Sequence, residues 1–406
     1  MVVAFSAEAL GYYERAQALQ SGEVVRQLEN TKQLALSSVW VVFGCAALII
    51  GIQRRLRSLR IGALLLLAAA TAKAFLVDLR YYDAGWHNLF INPTFSVFAL
   101  LVAAFALSVW FYARAEDIPE RERGALVPVL LGAANLIAIV SLSAEAIGYF
   151  SRARAQLGVA QLDDFYRLNN NEQFALSVLW TVYGAVALAI ATFRGRKSIR
   201  WGALALLVIT TAKVLALDTH YYDSAFHTLV FNQTFGAFLF LIGALSCGIW
   251  AYSKAEPLGY VERNRLLPIM VTGANLLAII ALSIEALGHY TVLMHVPGLQ
   301  ASRLADLRLA QQLSISVVWT VYGGAMLTFG MARRSRLLRI MGLLLLCLTI
   351  FKVFLFDLSS LERLYRIISF IVLGLILLAV SFLYQRYRQR VAELIGEDLE
   401  APAAAE

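Results

Sequence analysis

The chain has 406 residues, of which 60% are hydrophobic and 15% are charged, and its formal net charge at pH 7 is +8. A water-soluble globular domain has about 45–50% apolar and about 25% charged residues, so this composition excludes an ordinary soluble protein. The positive charge lies in short segments between apolar runs, which is typical of membrane topology signals. We therefore expect membrane lipids as partners, and other membrane proteins of the cell envelope as further candidates, but no nucleic acid.

Long apolar segments with few charges predict transmembrane α-helices, because about 20 such residues cross about 30 Å of hydrocarbon. The predicted fold class is an all-α transmembrane bundle of about 10–11 helices, since the alternating strands of a membrane barrel are absent from the sequence. The segments lie near residues 33–53, 59–79, 93–113, 125–148, 172–193, 199–219, 233–253, 265–288, 312–332, 337–357 and 364–384.

The apolar segments belong to an internal repeat of about 140 residues. QLALSSVWVVFG (33–44), QFALSVLWTVYG (173–184) and QLSISVVWTVYG (312–323) align without gaps, and TAKAFLVD, TAKVLALD and IFKVFLFD follow at the same offsets. An even number of helices in each full repeat, four, predicts that the repeats run parallel. The predicted boundaries are 1–117, with a truncated first helix, 118–257 and 258–390, followed by a polar tail at 391–406. The start, MVVAFSAEALGYYER, resembles the end of a repeat, so either the first helix is short or the chain is a fragment of a longer protein.

Basic residues predict the orientation. The segments 53–60, 193–200 and 332–339 each contain four arginines or lysines and no acidic residue. By the positive-inside rule these three hairpins and the C-terminus are cytoplasmic. The connections on the other side are about 20 residues long, and their spaced leucines predict short helices that lie at the membrane interface.

Each repeat carries ionisable residues at matched positions within or beside its apolar segments. A charge at this depth is costly, so such residues usually face one another or a wet cavity. Lys213 and Asp218 are five residues apart, about 140° around an α-helix, so we expect the lysine to pair with Glu145 on another helix instead. The predicted pairs are Glu8–Lys73, Glu145–Lys213 and Glu285–Lys352, with Asp78, Asp218 and Asp357 at the outer boundary. The alternatives are a proton or ion relay, a polar groove for a lipid headgroup, or a purely structural contact.

A second polar pattern lies after the second apolar segment of the first two repeats. Asp83 and His87, and likewise Asp223 and His227, have i,i+4 spacing. Two potential ligands are few for a metal site. We therefore place these four residues in the outer loops and predict that they bind no metal or cofactor and have no catalytic role. The motifs G-x-x-x-x-G-K-[ST], H-E-x-x-H and G-x-S-x-G are absent from the sequence.

Four further sets of residues have predicted structural positions. Asn92 and Asn232 precede apolar segments and are expected to cap the helices that follow. Asn135 and Asn275 lie within apolar segments and are expected to form hydrogen bonds across helices. Cys45, Cys247 and Cys347 have no spaced partner and are expected to be small buried apolar residues. Trp40, Trp180 and Trp319 are expected near the outer interface.

Residues 314–390 resemble the C-terminal end of a bacterial membrane-protein family, domain-of-unknown-function family 2339. The motifs that carry the resemblance are SVVW, the basic hairpin before LLRIMG, KVFLFDL, LYRIISF and YQR. The resemblance implies a multi-pass protein of the bacterial inner membrane, and it implies no activity.

The sequence leaves three functions open. The first is a non-enzymatic envelope scaffold or carrier module. The second is a transporter or lipid-handling channel that uses the intramembrane Glu and Lys residues. The third is a membrane enzyme that acts on an envelope or lipid-linked substrate. Of the three, we expect the first, which is not an enzyme.

Overall fold

The computed structural model describes residues 1–81, 88–157, 161–219, 232–255 and 260–357, together with residues 371 and 378. Eleven α-helices and no β-strand occupy this part of the chain, which confirms the all-α fold. The helices are α1 (Val2–Gln17), α2 (Glu23–Gln53), α3 (Arg57–Leu76), α4 (Pro93–Arg114), α5 (Glu120–Ala155), α6 (Leu162–Phe193), α7 (Lys197–Lys213), α8 (Gln233–Lys254), α9 (Tyr260–Met294), α10 (Ala301–Ala332) and α11 (Arg336–Lys352).

Helices α2 to α11 are the 10 helices in the described ranges that are long and apolar enough to cross a membrane. They coincide with the ten segments predicted between residues 33 and 357. The segment predicted near 364–384 lies outside the described residues, apart from residues 371 and 378. A chain with this many apolar helices needs a bilayer as its solvent, so the protein is a multi-pass membrane protein.

The predicted short interfacial helices are wrong. In the described residues, the polar segments predicted to form them belong to the ends of α1, α5 and α9 and to the starts of α2, α6 and α10. Helix α5 has 36 residues and α6 has 32, and only a short connection separates them. At 1.5 Å per residue α5 is about 54 Å long, well above the thickness of the hydrocarbon core. Leu162 and Leu168, two of the spaced leucines, thus lie on the part of α6 that precedes its apolar segment.

The chain divides into two compact units. The first comprises Met1–Tyr221 with Gly243–Gly259, and the second comprises Tyr222–Ile242 with Tyr260–Glu406. In the first unit α2 packs on α1, α3 and α4, and α5 packs on α4, α6 and α7. A buried cluster that includes Leu48, Leu67, Leu101 and Ile137 fills the space between α2, α3, α4 and α5.

In the second unit α10 packs on both α9 and α11. The arrangement matches that of α6 between α5 and α7 in the first unit. This equivalence agrees with the repeat read from the sequence, while the exact boundaries of the three repeats stay a prediction.

Each basic hairpin turns at one residue in the left-handed backbone region. This residue is Arg55 (φ 59°), Gly195 (φ 67°) or Arg334 (φ 52°). A left-handed residue after a helix allows the next N–H to reach back to a carbonyl of the last turn, as in a Schellman motif. Glycine adopts this conformation without strain, and two of the three hairpins use arginine there instead. The closing bonds are Leu56 N to Gly51 O (3.0 Å), Arg196 N to Ala191 O (2.9 Å) and Ser335 N to Gly330 O (2.9 Å).

Beyond each hairpin, the two helices approach closely at a matched glycine. A Cβ atom on Gly44 would lie 2.9 Å from Leu67 Cγ, and one on Gly184 would lie 3.0 Å from Leu207 Cδ2. Gly323 meets Leu346 in the same way, at 3.1 Å. Small residues at such crossings let two helix backbones pack in a membrane, where van der Waals contact drives association.

Substituting Gly44 with alanine tests this contact. The added methyl group overpacks the buried side chain of Leu67, so we expect Gly44→Ala to lower the free energy of unfolding by about 1–3 kcal/mol. Gly62→Ala is the matched control, because Gly62 lies in α3 with nothing within 4 Å of its would-be Cβ. Unfolding of both variants in mixed micelles by increasing detergent concentration measures the difference. Equal stability of the two variants would show that the α2–α3 contact is loose.

Candidate functional site

The lysine of the first repeat lies in a compact buried cluster. Lys73 Nζ donates hydrogen bonds to Asp78 Oδ1 at 2.7 Å, Ser37 Oγ at 2.8 Å and the carbonyl oxygen of Gln33 at 2.7 Å. The hydroxyl of Ser37 in turn donates to Asp78 Oδ2 at 2.6 Å. Asp78 is fully buried. We call this arrangement of serine, lysine and aspartate the Lys–Asp–Ser cluster.

The same cluster occurs in the other two repeats. In the second repeat Lys213 Nζ contacts Asp218 Oδ1 at 2.6 Å and Ser177 Oγ at 2.8 Å. In the third repeat Lys352 Nζ contacts Asp357 Oδ1 at 2.8 Å and Ser316 Oγ at 2.6 Å. In both repeats the serine hydroxyl donates to the second carboxylate oxygen at 2.5 Å. The ammonium group also donates to a backbone carbonyl oxygen, that of Gln173 at 2.9 Å or that of Gln312 at 2.8 Å.

The predicted Glu–Lys pairs are wrong, because the helix is not an α-helix between the lysine and the aspartate. In the second and third repeats the helix changes to a π-helix over Val214–Asp218 and Val353–Asp357. A π-helix has i→i+5 hydrogen bonds, such as the one from Thr219 N to Val214 O at 3.2 Å. The wider turn brings the fifth residue back over the lysine, so the 140° separation of an α-helix does not apply.

In the first repeat the same contact is reached by a different route. Helix α3 ends at Leu76, and a 3₁₀ turn over Asp78–Tyr81 begins at the aspartate. The cluster geometry is therefore shared by all three repeats even though the local backbone is not.

In each Lys–Asp–Ser cluster the lysine has its counter-ion and a full set of hydrogen-bond acceptors. The three N–H bonds of the ammonium group have three acceptors, and both carboxylate oxygens have a donor. A lysine next to an aspartate is a neutral pair, which greatly reduces the cost of burial in hydrocarbon. The serine hydroxyl accepts a hydrogen bond from the ammonium group and donates one to the carboxylate, so it bridges the two charged groups. The arrangement joins two helices of a repeat by hydrogen bonds.

The buried glutamates have a different partner, an asparagine at the start of a helix. Asn92 Nδ2 donates to Glu145 Oε1 at 2.9 Å, and the backbone N–H of Phe90 donates to Glu145 Oε2 at 2.9 Å. The other end of the same amide, Asn92 Oδ1, accepts from Phe95 N at 2.7 Å and so caps α4. The predicted cap is confirmed, and the amide also holds α5 through the glutamate. We call this the Asn–Glu contact.

The Asn–Glu contact recurs once more. Asn232 Nδ2 donates to Glu285 Oε2 at 2.8 Å, and Asn232 Oδ1 accepts from Phe235 N at 2.8 Å. Glu145 is 2% exposed and Glu285 is 6% exposed. Glu8, at the matched position of α1, is exposed instead. The predicted pairing of Glu8 with Lys73 is therefore wrong as well, since Lys73 contacts Asp78.

Two other predicted polar contacts agree with the structure. Asn135 accepts a hydrogen bond from the hydroxyl of Tyr183 at 2.8 Å, and Asn275 accepts one from Tyr322 at 3.0 Å, as expected of asparagines that connect helices. The motif tryptophans also bind across helices to serines. These bonds are Trp40 to Ser6 (3.1 Å), Trp180 to Ser143 (2.8 Å) and Trp319 to Ser283 (2.9 Å).

The cluster serines were missed by sequence reasoning, although a signal for them exists. In each repeat the serine precedes the lysine by 36 residues and the aspartate by 41 residues. A serine in an apolar helix attracts little notice by itself. The fixed spacing to two charged residues is what marks it as a partner.

The cysteines depart partly from expectation. Cys45 and Cys247 are half-buried, and Cys347 is exposed on the apolar helix α11. The prediction that all three are buried is thus wrong for Cys347. A small weakly polar side chain is compatible with a lipid-facing position, because the surrounding hydrocarbon is as apolar as a protein core.

A groove of about 250 Å³ lies between α5, α6 and α7 in the second repeat. Its wall includes the Asn135–Tyr183 pair and the small residues Gly132, Ala187 and Gly202. The matched residues of the third repeat are larger: Thr272, Met326 and Met341. The small side chains of the second repeat therefore leave space that the corresponding side chains of the third repeat would occupy.

The outer-loop candidates Asp83, His87, Asp223 and His227 lie outside the described residues. Within the ranges that are described, no group of three or more His, Cys, Asp or Glu side chains is placed to hold a metal ion. The absence of a metal, cofactor or catalytic role stays a prediction.

The family model "Predicted membrane protein (DUF2339)" matches residues 2–84, 82–231 and 221–387, which is most of the chain. The chain belongs to this family. No curated protein and no solved structure matches the chain. The resemblance noted over residues 314–390 thus extends to all three repeats. The second and third DUF2339 segments each contain an asparagine-capped helix and the glutamate that it binds, whereas the first contains Glu8 without such a helix.

Removing one charged residue of a Lys–Asp–Ser cluster should lower the free energy of unfolding more than removing both charged residues together. We expect Lys213→Met alone to lower the free energy of unfolding by about 3–5 kcal/mol, because it leaves a buried carboxylate without its cation. Lys213→Met with Asp218→Leu should recover most of this loss. Unfolding titrations in mixed micelles measure all three proteins.

The control for this prediction combines Lys213→Met with Glu145→Gln. If Glu145 were the partner of Lys213, this double variant would recover stability, whereas the observed geometry predicts that it stays as unstable as the single variant or becomes worse. Recovery with Glu145→Gln and none with Asp218→Leu would contradict the cluster.

Proposed function

We propose that the protein is a non-enzymatic scaffold or carrier module of the bacterial cytoplasmic membrane. The observation that supports this most directly is the Lys–Asp–Ser cluster, which occurs in all three repeats with the same donors and acceptors. Repetition of one polar contact in every repeat is the behaviour of a structural element. A transport pathway concentrates its ionisable groups at one site near the repeat interface.

The geometry of the cluster also argues against a proton or ion relay. A relay needs a group that can exchange its partner or face water during the cycle. The side chains of Lys213 and Asp218 are only 7% and 6% exposed, and the donors of the ammonium group are all used inside the cluster. Passing the proton of Lys213 to a group outside the cluster would leave the buried carboxylate of Asp218 without its cation, which is costly in a medium of low dielectric constant.

The orientation in the membrane is part of the proposal. The hairpins at 53–60, 193–200 and 332–339 carry arginine and lysine without acidic residues, and the segment 384–390, YQRYRQR, adds further basic residues near the C-terminus. These segments belong on the cytoplasmic side by the positive-inside rule. The opposite, outer side of the membrane would then carry the connected ends of three helix pairs, α1 with α2, α5 with α6, and α9 with α10. A scaffold would meet its partners on this side.

Proton flux in proteoliposomes tests the scaffold against the relay. A scaffold should dissipate an imposed pH gradient no faster than protein-free liposomes, and the double variant Lys213→Met with Asp218→Leu should behave identically. A pH-sensitive dye inside the vesicles measures the rate, and an ionophore confirms that the gradient was present. Flux in the wild-type protein that falls about tenfold in the double variant would overturn the scaffold proposal.

The groove of the second repeat favours lipid handling as a second candidate function. It is lined mostly by apolar side chains, and its polar side chains are those of the Asn135–Tyr183 pair and of Ser198. A groove of this kind on a transmembrane helix bundle fits an acyl chain, with the asparagine and tyrosine near a polar atom of the lipid.

A photoactivatable phospholipid tests this second candidate. The wild-type protein in bilayers should be labelled along α5, α6 or α7, and labelling should fall several-fold in Gly202→Met, which introduces the side chain found at the matched position 341 of the third repeat. Gly62→Met, at the matched glycine of the first repeat and far in sequence from the groove, is the control. Labelling that is equal in both variants would show that the groove holds no specific lipid.

A further inference from the structure

We propose that the groove of the second repeat binds an anionic phospholipid from the membrane leaflet on the side of the basic hairpins. An acyl chain would lie along the groove, and the headgroup would lie at one end of it. This inference rests on lipid handling, the second candidate function, and names the class of lipid. It is carried by the length of the groove and by the cations at that end.

The groove has the length of one membrane leaflet. On α7 its wall extends from Ser198 to Ile209, and on α5 it extends from Pro128 to Ile139. Each stretch advances 11 residues, which is about 16 Å along an α-helix at about 1.5 Å per residue. The hydrocarbon core is about 30 Å thick, so one leaflet contributes about 15 Å. The groove therefore matches the depth of an acyl chain in a single leaflet.

The leaflet in question is the one beside the basic hairpins. Helix α7 begins at Lys197, and Ser198 in its first turn already lines the groove. Pro128 lies in the third turn of α5, which begins at Glu120 on the same side of the first unit. We call this end of the groove, at Ser198 and Pro128, the mouth. An acyl chain that follows the groove from the mouth reaches the middle of the bilayer.

Cations without a partner in the described residues lie beside the mouth. Arg194, Arg196 and Lys197 are exposed, and their side chains form no hydrogen bond or ion pair there. The same is true of Arg121 on α5. Arg121 precedes Pro128 by seven residues, so it lies on the same face of α5, two turns nearer the membrane boundary. Long basic side chains at such a boundary can reach a lipid headgroup with their charged ends.

The acidic residues at the start of α5 do not cancel this charge. Glu120 Oε1 lies 3.6 Å from Arg123 Nη2, and Glu122 Oε1 lies 3.0 Å from Arg60 Nε. Each carboxylate thus has its own arginine, and the cations beside the mouth remain in excess. This excess is complementary to a headgroup with a net negative charge. A zwitterionic headgroup has a cationic amine as well as a phosphate, so its attraction to the mouth is weaker.

The third repeat has lost the groove and one of these cations together. The small residues of the groove wall have larger counterparts there, as described above, and the residue that matches Arg121 is Val261. Space for an acyl chain and a cation at the mouth therefore occur in the same repeat, as expected of two parts of one lipid site.

Photo-crosslinking with two lipids tests the proposal. The full-length protein is placed in nanodiscs of neutral lipid with a trace of phosphatidylglycerol or phosphatidylcholine, each with a diazirine on the same acyl chain. Phosphatidylglycerol should label α5 and α7 about tenfold more than phosphatidylcholine, because each nearby Lys or Arg strengthens binding of an anionic headgroup about fivefold. Arg121→Gln with Lys197→Gln should remove most of this difference and leave phosphatidylcholine labelling unchanged.

Arg57→Gln is the matched control. Arg57 has the position of Lys197 in the hairpin of the first repeat, and it is also exposed. Its substitution removes a positive charge from the same membrane surface without changing the mouth. Labelling of α5 and α7 by both lipids should stay as in the wild-type protein.

The remaining outcomes separate this inference from lipid handling itself. Equal labelling by the two lipids that still falls in Gly202→Met would overturn the anionic lipid and leave lipid handling intact. Absence of labelling in the groove by either lipid would overturn both. A preference for phosphatidylglycerol that survives the double variant, or that Arg57→Gln removes equally, would assign it to general surface charge and overturn the site.

A protein segment is the other conceivable occupant of the groove. A photoreactive residue in place of Ala205, which lines the groove and is exposed, identifies what lies there. A lipid adduct is the expected product. A cross-link to another protein chain at this position would overturn the proposal.

Discussion

A lysine ammonium group placed in hydrocarbon must be neutralised by side chains within a few ångströms, and the arrangement of each repeat depends on that requirement. The acid that neutralises Lys73, Lys213 or Lys352 comes from the same helical segment, five residues further along the chain. The serine and the glutamine carbonyl come from the preceding helix. The charge pair thus serves as an anchor to which the neighbouring helix attaches by hydrogen bonds, and the apolar contact at the matched glycine brings the two helices together elsewhere.

The Asn–Glu contact connects each capped helix to the long helix that follows it. In the first unit it joins α4 to α5, and in the second it joins the start of α8 to α9. The cluster joins α2 to α3, α6 to α7 and α10 to α11, whereas the Asn–Glu contact joins α4 to α5 and α8 to α9, so the two kinds of contact act on different helix pairs. The long helices α5 and α9 receive this contact in the half that lies away from their first turn, in addition to the hydrogen bonds that their asparagines and serines accept from the tyrosines and tryptophans of α6 and α10.

Helix positions and asparagine caps follow from local rules, and the sequence was sufficient for them. Apolar length specifies a membrane helix, and an asparagine before an apolar run specifies a cap. The partner of Lys213 could not be derived in the same way, because the argument assumed 100° per residue where the backbone is a π-helix. The partner of Glu145 was missed for another reason: Asn92 was assigned only the role of helix cap, which uses its amide oxygen, while its amide nitrogen is free to donate to a second group. The long helical extensions were missed because polarity was taken as the end of a helix, although helical periodicity continues through it.

The spacing of lysine and aspartate on one helical segment also has a consequence for how the protein is made. A charged residue at the centre of a membrane helix opposes insertion by about 2.5–3.5 kcal/mol on insertion scales. Because Lys213 and Asp218 leave the ribosome within the same segment, they can pair with each other without a contribution from another helix. Each such segment is then delivered to the insertion machinery as a nearly neutral unit, and assembly with the serine-bearing helix can follow without a lone charge in the lipid. Charges paired across separate helices would require the two helices to enter together.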